Sequence, residues 1–232
     1  MVIRSTLILI LMTVVFSLVG IQINRADDKE ATAQQSVTSL PAPETKGKVS
    51  VEEALAKRRS VRTYSTEPVT LQQVSQLLWA AQGITEPTKG LRTAPSAVAT
   101  YPLCVYLFAG NVKDLPAGVY EYIPKGHKLQ LVMEGDQRTN VGSQPQMQTA
   151  PALFVYVADY TNTASRFGKD KAKEWAFVEA GHSAQNVLLE EVALGMIGVP
   201  MGGFDADKLR STLKLGENQD AIYVVSAALK KE

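Results

Sequence analysis

The run Lys57-Arg58-Arg59-Ser60-Val61-Arg62 sets three arginines and a serine within five positions, directly after a predicted short helix. Further along stands Arg92-Thr93-Ala94-Pro95-Ser96-Ala97-Val98-Ala99-Thr100-Tyr101-Pro102. A guanidinium is a planar fork of donors matched to phosphate oxygens. Several of them converging beside a serine hydroxyl would make a pocket for a dianionic phosphate. No glycine-rich phosphate loop accompanies them. A mononucleotide held by side chains therefore fits better than a dinucleotide held on a helix N-terminus. Spacing alone leaves a second reading open, that of a solvated charged face.

The cluster is not part of a global basic field. Lys+Arg number 24 against 23 Asp+Glu, for a net charge of +1. Nucleic-acid binders carry a basic stripe or patch, so nucleic acid is not an expected partner. A length of 232 residues with 45% hydrophobic and 20% charged composition fits one domain of moderate size plus extra segments. Cys104 is the only cysteine. An intrachain disulfide and a cysteine-based metal site are thereby excluded. Within Leu103-Cys104-Val105-Tyr106-Leu107, Cys104 reads as a small core residue of a buried strand. His127 and His182 show no ligand spacing, so no metal is expected.

The chain opens with Arg4, then a charge-free run rich in Leu, Ile, Val and Met from Ser5 to Ile23. Residues 1–26 are expected to be a signal peptide or an N-terminal membrane anchor. That implies export, to a periplasm or to the outer face of an inner membrane. Residues 27–49 are polar and include Pro41-Ala42-Pro43; they are expected to be a flexible linker. The folded domain is expected over 50–232.

Ser50-Val51-Glu52-Glu53 has capping-box spacing and predicts a short helix towards Lys57. Thr70-Leu71-Gln72-Gln73 repeats it, and Leu71, Val74, Leu77, Leu78 and Ala81 trace a helical face that stops at Gly83. Trp79 reads as a packing residue on that helix. Residues 84–102 read as a loop. Strands are predicted over 103–109, 118–123, 128–133 and 152–158. The second and third form a hairpin that leaves His127 exposed on a turn. Residues 136–149 predict a helix, and 171–194 a long one with small and apolar residues on more than one face. Such a helix packs on two sides, one of them a candidate subunit interface. A strand over 196–200, a short helix from Asp205 and a strand over 221–229 complete an α+β pattern without internal repeats.

There is no G-x-G-x-x-G, no P-loop, no G-x-S-x-G and no H-E-x-x-H. An enzyme without obvious acid–base groups can work when a cofactor carries the reaction. Taken together, the segments resemble the nitroreductase family of flavin enzymes. They run through Arg58-Arg59-Ser60-Val61-Arg62, Leu77-Leu78-Trp79-Ala80-Ala81-Gln82-Gly83-Ile84 and Arg92-Thr93-Ala94-Pro95-Ser96. They continue through Ala117-Gly118-Val119-Tyr120-Glu121-Tyr122, Glu179-Ala180-Gly181-His182-Ser183-Ala184-Gln185-Asn186 and Gly202-Gly203-Phe204. Within the family the likeness is to the SagB-type, thiazoline-oxidising dehydrogenase branch.

The resemblance implies a nitroreductase-like fold, with a central, mostly antiparallel sheet flanked by helices, in an intertwined homodimer with FMN at its interface. Arg58, Ser60 and Arg62 match the family's phosphate and ribityl contacts, and Arg59 matches another flavin contact. Pro95, Ser96 and Ala97 match a segment that lies along the isoalloxazine from the partner subunit. Gly202 and Gly203 match a loop whose backbone faces the ring. Lys230 or Lys231 matches a basic residue that completes the phosphate site. The implied activity is hydride transfer to or from a small organic substrate, with ping-pong kinetics and NADH or NADPH as a candidate donor. No side chain is singled out as catalytic, because the flavin carries the chemistry.

Three positions depart from the family pattern. Val98 stands where glycine is usual; its bulk disfavours a positive φ. Arg166-Phe167-Gly168 stands where azoline-oxidising members carry a Lys-Tyr pair, and phenylalanine cannot relay a proton. Val225-Ser226-Ala227-Ala228 lacks a usual glycine and proline. An azoline-type dehydrogenase acting on a modified peptide, and a non-catalytic flavin-binding domain, are the alternatives.

Overall fold

A computed structural model of the chain describes residues 36–231. The expected signal peptide or anchor lies outside the described residues. In chain order the elements are β1 (Val37–Ser39), α1 (Val51–Lys57), β2 (Val69–Thr70), α2 (Leu71–Gln82), β3 (Ile84–Glu86), β4 (Leu91–Arg92), β5 (Leu103–Ala109), β6 (Val112–Lys113), β7 (Gly118–Ile123), β8 (Lys128–Glu134), α3 (Pro145–Thr149), β9 (Ala152–Asp159), α4 (Thr161–Phe167), α5 (Lys169–Ala193), β10 (Met196–Met201), α6 (Ala206–Leu213) and β11 (Gln219–Leu229). Seven strands form one sheet in the order β1-β8-β7-β5-β9-β11-β10. Every pairing within it is antiparallel.

The central strands bury both faces, and successive side chains feed opposite layers. In β9, Ala152, Phe154, Tyr156 and Ala158 join the layer under α2 and α5, whereas Leu153, Val155 and Val157 join the layer under α6. That is why residues 152–158 read as an unbroken apolar run rather than an alternating one. α2 begins as its sequence predicts, with Thr70 and Gln73 in a reciprocal capping box. It buries Val74, Leu77, Leu78 and Ala81 against the sheet. It ends at Gly83 because a Cβ there would run into the Trp79 ring; φ is −63°, so close approach and not a left-handed turn requires the glycine. α5 buries a row of alanines, Ala172, Ala176, Ala180 and Ala184, then Val187 and Leu188. Its outer side leaves Trp175, Phe177 and Val178 at 42%, 56% and 46% exposure.

Four expectations need correction. Residues 37–44 are not tether. β1 pairs with β8 at the sheet edge, Leu40 is buried, and Glu44 exchanges two hydrogen bonds with Gln76. Residues 84–102 contain the β3–β4 hairpin and a 3-10 turn over Ala97–Ala99. The helix expected over 136–149 is broken into a 3-10 turn at Arg138–Asn140 and the five-residue α3. Pro145 can only start a helix, and the space a side chain at Gly142 would need is filled by Met147. His127 sits on the β7–β8 turn as expected but is half-buried, not exposed. Its Nδ1 meets the Tyr122 hydroxyl at 2.9 Å, and its Nε2 lies 2.7 Å from Ser75 Oγ and 3.1 Å from the Pro41 carbonyl.

Candidate active site

The arginine run begins where α1 ends. Ser50 caps the helix by accepting from the Glu53 N–H, and the Arg58 N–H closes the last turn on the Ala54 carbonyl. The chain then extends along the outer edge of β10. Ser60 bridges Gly198 in parallel register, and the Val61 N–H donates to the Gly198 carbonyl at 3.0 Å. Tyr64 bridges Lys230, and the Ser65 N–H donates to the Leu229 carbonyl. Beneath this stretch the Tyr64 hydroxyl meets Ser226 Oγ at 2.6 Å in a buried pair. Burial pushes the Tyr64 phenol up to about 12. Residues 58–62 are thus stitched to the sheet edge by backbone, with their side chains left outside.

Those side chains divide into two kinds. Arg59 Nη1 donates to the Ala56 and Arg58 carbonyls at 3.0 and 2.7 Å. It satisfies carbonyls at the end of α1. Arg58, Arg62 and the Lys230 ammonium form no hydrogen bond or ion pair among the described residues. Arg58 and Ser60 wall a cleft of about 490 Å³ with Gln185, Leu188, Pro200 and Tyr223. Arg58, Arg59 and Lys230 rim an adjoining cavity of about 350 Å³ that Lys57 and Glu191 also wall. Arg58, Arg59 and Lys230, from both ends of the domain, therefore converge on one edge strand, whereas Arg62 walls neither cavity.

β10 carries the second predicted feature at its C-terminal end. Gly202 and Gly203 follow Met201 and are exposed. A Cβ on Gly202 would meet nothing within 4 Å, whereas one on Gly203 would press on Gln144. Gln144 Nε2 donates to the Gly203 carbonyl at 2.8 Å and fixes the turn.

Pro95, Ser96 and Ala97 wall neither cavity. Their segment is held instead by Glu179 of α5, which is 4% exposed. Glu179 Oε1 accepts from Ser96 Oγ at 3.0 Å and from the Ala97 N–H at 2.9 Å. Burial pushes this carboxyl up; the two hydrogen bonds and the Arg92 charge pull the other way. Ser96 Oγ also accepts from the Tyr101 N–H at 2.8 Å. The loop that follows is strained. Val98, Ala99 and Tyr101 have φ of 43°, 55° and 45°, a region costly for residues with a Cβ. Val98 was expected to avoid positive φ; it adopts one nonetheless and is 60% exposed.

Sequence reasoning missed Glu179 as the holder of this loop, Gln144 behind the glycine pair, and the Tyr64–Ser226 tie. The signal for Glu179 was a carboxylate in the buried register of α5, four residues before Ser183.

A seven-stranded antiparallel sheet between helical layers, with a cation-bearing segment added along β10 and an exposed glycine pair at its end, is an α+β nitroreductase-like fold. The sequence model of the nitroreductase family matches residues 55–228. The chain belongs to that family, and by membership it is an oxidoreductase. A nitroreductase-family protein of Methanocaldococcus jannaschii is 36% identical over 173 residues, spanning 73% of this chain and 86% of its own. A crystal structure of a family protein from Ralstonia eutropha superposes with a TM-score of 0.77 at 29% identity, covering 87% of this chain and 92% of that one. The NADPH:FMN oxidoreductase of Vibrio harveyi shares the fold at a TM-score of 0.56 and 19% identity, covering 78% and 69%.

Proposed function

We propose that the chain is an FMN-dependent oxidoreductase that transfers hydride to or from a small organic substrate. The observation that carries this reading is the set of unpaired cations and the Ser60 hydroxyl on the β10 edge. The donor set fits a phosphate dianion: Arg58, Arg62 and Lys230 bring charge with no internal partner, and the exposed Ser60 shares a cleft with Arg58. These four residues would hold the phosphate and ribityl chain. Arg59 would add charge while keeping its hydrogen bonds to α1. Gly202 and Gly203 would give the ring a backbone surface without side chains. FMN, when bound, supplies the hydride chemistry. This chain's part is to bind, orient and exclude water, and one cleft serving donor and acceptor in turn gives ping-pong kinetics.

The reading extends to a homodimer. Val51 and Leu55 on α1 and Trp175, Phe177 and Val178 on α5 leave large apolar side chains exposed, and such a face is suited to a second copy. Pro95, Ser96 and Ala97, remote from the cavities within one chain, would then reach the partner's cleft. Export is part of the same proposal, supported by the uncharged run from Ser5 to Ile23. So is placement in the SagB-type branch, supported by the motif order. Phe167 in place of a proton-relaying tyrosine disfavours azoline oxidation.

The visible spectrum of purified protein tests the core of this. A flavin spectrum, bleached by anaerobic mixing with NADH or NADPH, is expected. Colourless protein that takes up no added FMN would overturn the assignment. Bound flavin that neither nucleotide bleaches would remove them as donors. Protease access in intact spheroplasts tests export.

A further inference from the structure

Glu191 lies one turn beyond Val187 and Leu188 on the inner side of α5 and is 2% exposed. Its Oε1 has no hydrogen-bond partner among the described residues. Both carboxyl oxygens occupy the space that a side chain at Gly198 would fill, within 2.7 Å of where its Cβ would stand. Gly198 is the residue that bridges Ser60 and accepts from Val61. The carboxyl therefore backs the junction between the arginine segment and the sheet. It also walls the cavity of about 350 Å³ rimmed by Lys57, Arg58, Arg59 and Lys230.

The surroundings of this carboxyl come from several elements. The α1 end supplies Lys57, Arg58 and Arg59, and β11 supplies Lys230. Tyr64 and Tyr156 of β9 sense its charge as buried phenols. β10 carries no titratable side chain. Glu190, its neighbour on α5, faces a different cavity. Burial holds Glu191 well above the ordinary carboxylate range, as expected for a buried acid whose Oε1 makes no hydrogen bond.

We propose that Glu191 is a positioning residue that takes up a proton when a phosphate dianion fills the arginine segment. The inference rests on the FMN reading above. With the segment empty, the cations on the rim of the cavity act against burial and lower the cost of ionising the carboxyl. A dianion neutralises them and adds like charge, so the carboxylate accepts one proton from solvent. Phosphate affinity then falls as pH rises between the carboxyl's pKa in the empty and in the filled protein. The phosphate's own second ionisation, near pH ~6, acts in the opposite sense, so the effect is read above it.

The experiment is titration of apoprotein with FMN from about pH 7 to about pH 9, followed by flavin fluorescence. It is repeated by calorimetry in two buffers of different ionisation enthalpy. Wild-type protein is expected to lose affinity with rising pH, by up to about tenfold per unit, and to take up protons on binding. Glu191→Gln is expected to bind FMN with a flat profile and no uptake. Wild-type binding without proton uptake, or a slope and uptake that persist in E191Q, overturns the proposal. Glu191→Met, which is apolar and of similar volume, serves if the glutamine variant does not fold. If neither folds, the infrared band of a protonated carboxyl in wild-type protein decides: growth on adding FMN supports the proposal, and no change overturns it. Folded wild-type protein that binds no FMN at any pH overturns the flavin reading itself.

Discussion

Arg59 and Arg62 carry the same charge and do different work. The first has turned back to satisfy helix carbonyls, and the second is left without a partner. Arg62→Ala should therefore weaken FMN binding about ten- to hundredfold, the worth of one charge-assisted hydrogen bond, as read by quenching of flavin fluorescence. Val98 is the opposite case, a residue in a conformation that suits glycine. It is 60% exposed, so Val98→Gly gives up little burial. Relief of a positive φ should outweigh the added chain entropy and raise stability by roughly 1 kcal/mol, measured by urea unfolding. At this scale the sequence was legible where chemistry is carried by residue type. Arginines beside a serine marked a candidate segment, and the fold sets that segment on the β10 edge. The role of Ser96 did not show, because its hydroxyl serves Glu179, a residue 83 positions away in the chain.

Among the elements, caps and periodicity announced α1 and α2, and the unbroken apolar run announced β9. The misread stretches share a cause. Residues 37–44 are short and carry no periodic apolar face, and their order comes from partners remote in sequence: β8, Gln76 and the Ser75–His127 pair. Local composition cannot register such partners. Burial lowers the His127 pKa from the histidine value of 6.5, while its hydrogen bond to Pro41 opposes that. The opened state then takes up the proton first, so the contribution of His127 is lost as pH falls below 6.5 through its depressed folded value. Hydrogen-exchange protection of Val37–Ser39 should fall over that window in wild-type protein. In a His127→Asn variant, where asparagine tolerates the positive φ of 47°, it should stay flat.

For the whole molecule, the unexplained surface is the apolar one on α1 and α5. α5 gave only an approximate helical stripe in sequence because Trp175, Phe177 and Val178 stand on its outer side among charged residues. Phe177 is 56% exposed and makes the most direct probe. Phe177→Glu should shift a dimer towards monomer in analytical ultracentrifugation and release FMN with it. A variant that stays dimeric with full flavin would move the interface elsewhere. The fold class was readable because ordered motifs survive along the chain. How copies associate is a property of surfaces, which motif order does not encode.

The stitching of residues 60–65 to Gly198, Ser226, Leu229 and Lys230 also sets a schedule. The arginines are made early in synthesis, but β10 and β11, which hold them, are made much later. A chain still on the ribosome, short of β11, has the charges and no scaffold to aim them. On the FMN reading proposed above, cofactor loading would follow synthesis of β11, since contacts this distant in sequence form only once both partners are available. A cut inside β11 would strand β10 and the arginine segment together, because β11 is the strand that joins both to β9.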